Sequence, residues 1–145
     1  MSATSCGVVV TDGASLLLGH ATRSPRWDIP KGMAEPGEAF PQAAARELHE
    51  ETGLVAQAEQ LVTLGTHAYL PGKQLALFLW RRALPDPATL RCSTTFRTRD
   101  GALVPEFDRF GLFAWEDGLA RVGKNMRRVL ASLAGDILRP HDPAP

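Results

Sequence analysis

Glu47, Glu50 and Glu51 fall within one short stretch of the chain. At 100° per residue on a helix they project within roughly a third of a turn, while Ala45 and Leu48 point toward the other side. Such a helix would bury one face and present three carboxylates on the other. Glu47 and Glu51 are a like-charge pair four residues apart, which destabilises an isolated helix, and Arg46 is the one Lys or Arg within the same two turns. A divalent cation would balance that charge. Carboxylate oxygens are hard ligands that suit magnesium, which keeps several waters and shares its other positions between carboxylates and substrate phosphates. Acidic helix faces are also ordinary solvated surface, so the neighbouring residues must decide.

Reading outward, Gly32 is followed after five residues by Glu38 and, after seven more, by Arg46-Glu47-Leu48-His49-Glu50-Glu51-Thr52-Gly53-Leu54. This resembles the Nudix box at every defining position. A chance match to so many fixed types in a chain of ordinary composition is roughly one in ten million, which makes the pattern far more specific than a lone glycine motif. The segment Trp27-Asp28-Ile29-Pro30-Lys31-Gly32 also resembles the strand that commonly enters the box.

The resemblance implies an α/β fold in the α+β sense, a mixed sheet sandwiched between helices in the Nudix α/β/α manner. It implies Glu47, Glu50, Glu51 and the Gly32 carbonyl as ligands for magnesium, with manganese as the alternative. Arg46 and Glu38 match residues that brace the loop and helix, and Glu50 and Glu51 share the candidacy for general base. The implied reaction is attack of water at phosphorus in a nucleoside diphosphate linked to another moiety, with no covalent intermediate. Elementary chemistry agrees, because an anionic diphosphate resists water until its charge is neutralised, and a metal ion does that while lowering the pKa of a bound water.

Many members complete the metal site with an acidic residue from beyond the box, and Glu106, Asp108, Glu116 and Asp117 are candidates. Glu106 is favoured over Glu116, because Glu116 and Asp117 stand where a terminal helix would begin and a carboxylate there serves the helix dipole. Trp27 or Tyr69 could stack on a base and Lys31 or Lys73 could touch phosphate; each has a plain reading as a packed aromatic or a solvated lysine. His20, His49 and His67 receive no catalytic role. Two other classes of function compete: a nucleotide-sensing Nudix module, expected to carry an eroded box and a DNA-binding domain, and a protein holding metal structurally, which needs a closed coordination sphere.

The elements that must position these residues are legible in the pattern. Val8 to Val10, Asp12-Gly13 and Leu16 to Leu18 predict an opening hairpin. Pro30 keeps Trp27 to Ile29 extended. Ala39 to Thr52 predicts a helix, with Pro41 in its first turn and Gly53 as its stop. Leu61 to Leu70, Leu75 to Leu84, Leu90 to Thr98 and Ala102 to Trp115 read as strands, broken by turn chemistry at Pro71-Gly72, Pro85-Asp86-Pro87 and Asp100-Gly101. Leu119, Val122, Met126, Val129, Leu130 and Leu133 recur at helical spacing and predict an amphipathic helix on the sheet, with Arg121, Lys124, Arg127 and Arg128 as a solvated basic side.

The 145 residues suit one domain, expected over 1–138 with a disordered tail at 139–145. With 16 Lys plus Arg against 16 Asp plus Glu, no overall field draws a nucleic acid polymer or an anionic membrane. Cys6 and Cys92 lack zinc or disulfide-scaffold spacing, and the start of the chain lacks an export signal, so a cytoplasmic protein with reduced thiols is expected. A homodimer is the commonest assembly on general grounds.

Overall fold

The computed structural model describes residues 3–139. Residues 140–145, where most of the expected tail falls, lie outside them. Ala3–Thr11 (β1) and Ser15–Ala21 (β2) form the expected hairpin. Trp27–Asp28 (β3) and Lys31–Met33 (β4) follow, then the helix Phe40–Thr52 (α1). Val62–Leu70 (β5) and Lys73–Arg81 (β6) form a second hairpin, and Thr95–Arg97 (β7) pairs only with Leu103–Pro105 (β8). The chain continues as Phe107–Ala114 (β9) and three helices, Trp115–Arg121 (α2), Lys124–Ser132 (α3) and Ala134–Ile137 (α4).

The main sheet runs β3-β2-β1-β6-β5, with β4 added to β1 and β9 to β2. It is mixed because β1 and β6 are parallel while the other pairs are antiparallel. Alternation divides the central strands between two cores. Cys6, Val8, Val10, Ala76, Phe78 and Trp80 meet α1 through Ala43, Ala44 and Leu48. Val9, Leu75, Leu77 and Leu79 meet the later helices through Trp115, Met126, Val129 and Leu130. Both faces are covered, which is why Val8 to Val10 in β1 and Leu75 to Trp80 in β6 are unbroken apolar runs. Cys6 and Cys92 are free thiols; burial, with Glu38 nearby, pushes Cys6 up to about 11.

Three expectations change. The terminal amphipathic segment is not one helix, because Val122 is extended (φ −82°, ψ 164°) and Gly123 starts α3. The apolar positions still face the sheet on both sides of the break, so periodicity survives where helical hydrogen bonding does not. Leu90 to Thr98 is a strand only over Thr95–Arg97. Just before it, the amides of Arg91 and Ser93 donate to Thr52 and Glu50 carbonyls at 3.0 and 2.7 Å, satisfying the open end of α1. Ala102 to Trp115 is divided at Glu106 into β8 and β9, which join different sheets.

Candidate active site

Helix α1 is bounded as its sequence requires: Ala39 is extended, Pro41 occupies the first turn, and Gly53 at φ 84° returns its N–H to the His49 carbonyl. Packing of Ala43, Ala44 and Leu48 against β1 sets the rotation of the helix, and the three glutamates then diverge in environment. Glu50 stays part-exposed, and Glu47 is mostly covered, its side chain 12% accessible. Glu51 is buried with Thr52 at 3% exposure, so the carboxylates do not all share a solvated face. A strand runs over this end of the helix and supplies Glu51 with a donor: the Lys31 amide donates to its Oε1 at 2.7 Å.

Arg46 organises the outer carboxylates. Its Nε and Nη2 donate to the two oxygens of Glu38 at 2.8 and 2.9 Å, its Nη1 to Glu47 at 2.9 Å and Glu50 at 3.3 Å, and Nη2 also to the Met33 carbonyl at 3.1 Å. That bidentate pair holds the Glu38 carboxyl down at about 2, helped by the bond to its Oε1 from the Glu35 amide. Gly32 has a visible steric reason: a Cβ there would lie 2.2 Å from the Glu47 carboxyl carbon. Only a glycine lets that carboxylate rest against β4, and burial raises its pKa.

Glu106 occupies the corner between β8 and β9, where its amide donates to the Thr94 carbonyl at 3.0 Å and its carbonyl accepts from Thr22 at 3.1 Å. Its carboxyl hydrogen-bonds that of Glu51. Two carboxyl groups can do this only if one keeps its proton. Burial is the largest cause raising Glu51, the Glu106 bond adds to it, and the Lys31 amide opposes, leaving Glu51 at about 10. The pair lines a cavity of about 280 Å³ with Thr22, Asp28, Lys31 and Phe96. There Lys31 Nζ lies 2.9 Å from Asp28; burial is the largest single influence and works against the ammonium, but Asp28, Tyr69 and Glu51 together outweigh it and keep Lys31 charged.

Among the described residues no group of three or more His, Cys, Asp or Glu is already drawn together around a metal position. Arg46 engages Glu47 and Glu50 from outside, and Glu51 is turned toward Lys31 and Glu106. The donors nevertheless fit a hard dication. They are carboxylate oxygens, Glu51 and Glu106 hold between them a proton that positive charge would replace, and the Thr22 hydroxyl is buried with no partner.

The remaining sequence candidates do not line this cavity, although Tyr69 stands near enough to Lys31 and Asp28 to feel their charge. Trp27 packs edge-on against His20 and Phe113, with the Arg109 guanidinium 5.3 Å from its ring centre. Tyr69 packs on the core beneath the later helices, where burial raises its phenol. Lys73 opens β6 opposite Leu70, outside the residues lining the acidic cavity. Asp108 pairs with His20 at 2.8 Å, while Glu116 and Asp117 occupy the first turn of α2. Sequence reasoning passed over Phe96, Thr22 and the Asp28 partner of Lys31; the only available signal was their flanking of loops that turn back toward the box. A larger cavity of about 620 Å³, between Pro87–Thr89 and β9, is lined by no glutamate.

The Glu51 environment predicts a pH response of the metal-free protein. Its folded pKa lies above the ordinary carboxylate value, so folding takes up a proton and stability falls as pH rises between about 4.5 and about 10. The melting temperature of the wild type in chelator should decline from pH 5.5 to 8, and Glu51→Gln should flatten that slope. Identical slopes would show that Glu51 is ionised in the metal-free fold.

The family model of the NUDIX domain matches residues 1–131. An uncharacterized 17.7 kDa protein of Enterobacteria phage T4 is 31% identical, with 92% of this chain and 96% of that protein covered. An 8-oxo-(d)GTP phosphatase of Mycolicibacterium smegmatis is 56% identical over 34 residues, which are 23% of this chain and 11% of that protein. Among solved structures, a C. elegans Ap4A hydrolase binary complex superposes with a TM-score of 0.65 at 26% identity, covering 91% of this chain and 96% of that one.

Proposed function

This chain belongs to the Nudix hydrolase family, and from that premise we propose that it is a magnesium-dependent pyrophosphohydrolase acting on a nucleoside diphosphate linked to another moiety. The observation that carries the reading is the meeting of Glu51 and Glu106 in a cavity next to the Arg46-bound pair Glu47 and Glu50. The names of the C. elegans and mycobacterial relatives support a nucleotide as substrate and leave a nucleoside triphosphate and a dinucleoside polyphosphate both open.

Glu47, Glu50 and Glu51, with the Gly32 carbonyl, would hold magnesium or manganese. The ion supplies the positive charge that offsets the diphosphate oxygens and lowers the pKa of a bound water. Arg46 keeps the Glu47 and Glu50 carboxylates oriented and cannot itself lose its proton. Glu50 or Glu51 accepts the proton of the attacking water, and Glu106 sets the charge on Glu51 through their shared bond. Lys31, held at the cavity by Asp28, offers its ammonium to a substrate phosphate. No Ser, Cys or His lines this cavity and no base is paired with the Thr22 hydroxyl, which supports water as the nucleophile.

The reading is tested by incubating the protein and magnesium with a panel of nucleoside diphosphate compounds in isotopically labelled water and weighing both products. One product phosphate should carry one label. Failure to cleave any compound, or a trapped phosphoryl-enzyme or nucleotidyl-enzyme, would overturn it.

The two acidic candidates separate by variant. Glu106→Gln should lower turnover roughly tenfold, below the 10²–10⁴ range for losing a positioned acid or base because Glu106 acts through Glu51, with a small change in melting temperature. Glu116→Gln should weaken the α2 start by a few tenths of a kcal/mol and spare turnover. Unchanged turnover in Glu106→Gln would remove that residue from the site.

A further inference from the structure

We propose that Phe96 is the residue that recognises the planar base of the substrate, by stacking from the β7–β8 hairpin. This rests on the reading of the acidic cavity as a site of nucleotide hydrolysis. Phe96 is 39% exposed and lines the same cavity as Glu51, Glu106 and Lys31. Its ring meets no other aromatic ring or guanidinium among the described contacts, unlike Trp27, Phe107, Phe110 and Phe113. The part of an aromatic ring left to water at the mouth of a charged site gains nothing for folding; a base laid on it would cover it.

The hairpin fixes where that base would lie. Phe96 pairs with Val104, and Glu106 lies two residues further along the chain, just past the end of β8, about 7 Å at strand rise. The Glu106 amide bonds the Thr94 carbonyl, so the ring and the carboxylate are carried on one small sheet. Arg23, the one non-glycine residue with positive φ (61°) among the described residues, pairs with Asp100 at 3.2 Å and ties the hairpin turn to the loop after β2. Phe107 and Ile29 add apolar wall to the cavity, whose other lining includes the carboxyl pair and Lys31. A flat apolar group attached to a diphosphate matches that division.

The test compares magnesium-dependent binding of two uncleavable ligands by calorimetry: an α,β-methylene nucleoside diphosphate, and methylenediphosphonate, which lacks nucleoside. The wild type should prefer the first. Phe96→Ala should weaken it about tenfold, within the range for loss of one base–aromatic stack, and leave methylenediphosphonate within about twofold of wild type, since no stack is involved. Phe96→Trp should restore the preference. Equal weakening of both ligands, an unchanged nucleotide affinity in Phe96→Ala, or no nucleoside preference in the wild type would each overturn the proposal. If the wild type binds the nucleotide through Phe96 but cleaves no compound of the panel, the hydrolytic reading fails and the base-binding role stands.

Discussion

Removal of divalent metal is expected to abolish turnover, with a loss of about 10³-fold or more, and added magnesium or manganese should restore it. The size follows from charge. The proposed site would set Glu47, Glu50, Glu51 and Glu106 against an anionic substrate, and the two nearby cations, each shared with a protein carboxylate, are too few to offset that charge. Arg46 is spread over Glu38, Glu47, Glu50 and the Met33 carbonyl, and Lys31 is held by Asp28. Charge stabilisation by a metal is worth several kcal/mol, and each 1.36 kcal/mol is about a factor of ten in rate. Turnover should be measured after exhaustive treatment with chelator, then on titration with each metal. Full activity of a metal-free preparation would remove the metal from the mechanism and the box glutamates from their proposed role.

Glu50→Gln and Glu51→Gln should each lower turnover by about 10² or more at saturating metal, the loss expected when a base or a metal contact is removed. Folding should survive both. A glutamine at 51 still offers an oxygen to the Lys31 amide and no longer costs the burial of a charge, and Glu50 is part-exposed with a single 3.3 Å contact to Arg46. Turnover and melting temperature measured together separate a lost chemical group from a lost fold. Near-normal turnover in both variants would place the reacting carboxylates elsewhere.

Much of the frame was legible in the chain. The apolar runs Val8 to Val10 and Leu75 to Trp80 marked strands, and Pro41 and Gly53 marked the ends of α1 within a residue. Such signals are local: steric limits on backbone angles, turn chemistry and alternation act over a few residues. The terminal helices were harder, because α2 and α3 keep one apolar period through a break at Val122-Gly123. Periodicity reports which side faces the core and is blind to a lost hydrogen bond between two segments that share that side.

The sequence by itself determined the box, its glutamates on one helix and the reaction class they imply, since identity and spacing within a contiguous motif need no knowledge of the rest of the chain. Tertiary structure decided how those glutamates differ. Glu51 is buried because β4 lies over the end of α1, and its partner Glu106 is 55 positions away, brought in by a corner between two strands that join different sheets. The same packing laid Trp27 and Tyr69 partly buried against the core and left Phe96 facing the cavity. Burial and long-range contact depend on which elements pack together, and no spacing along the chain encodes that for residues outside the motif.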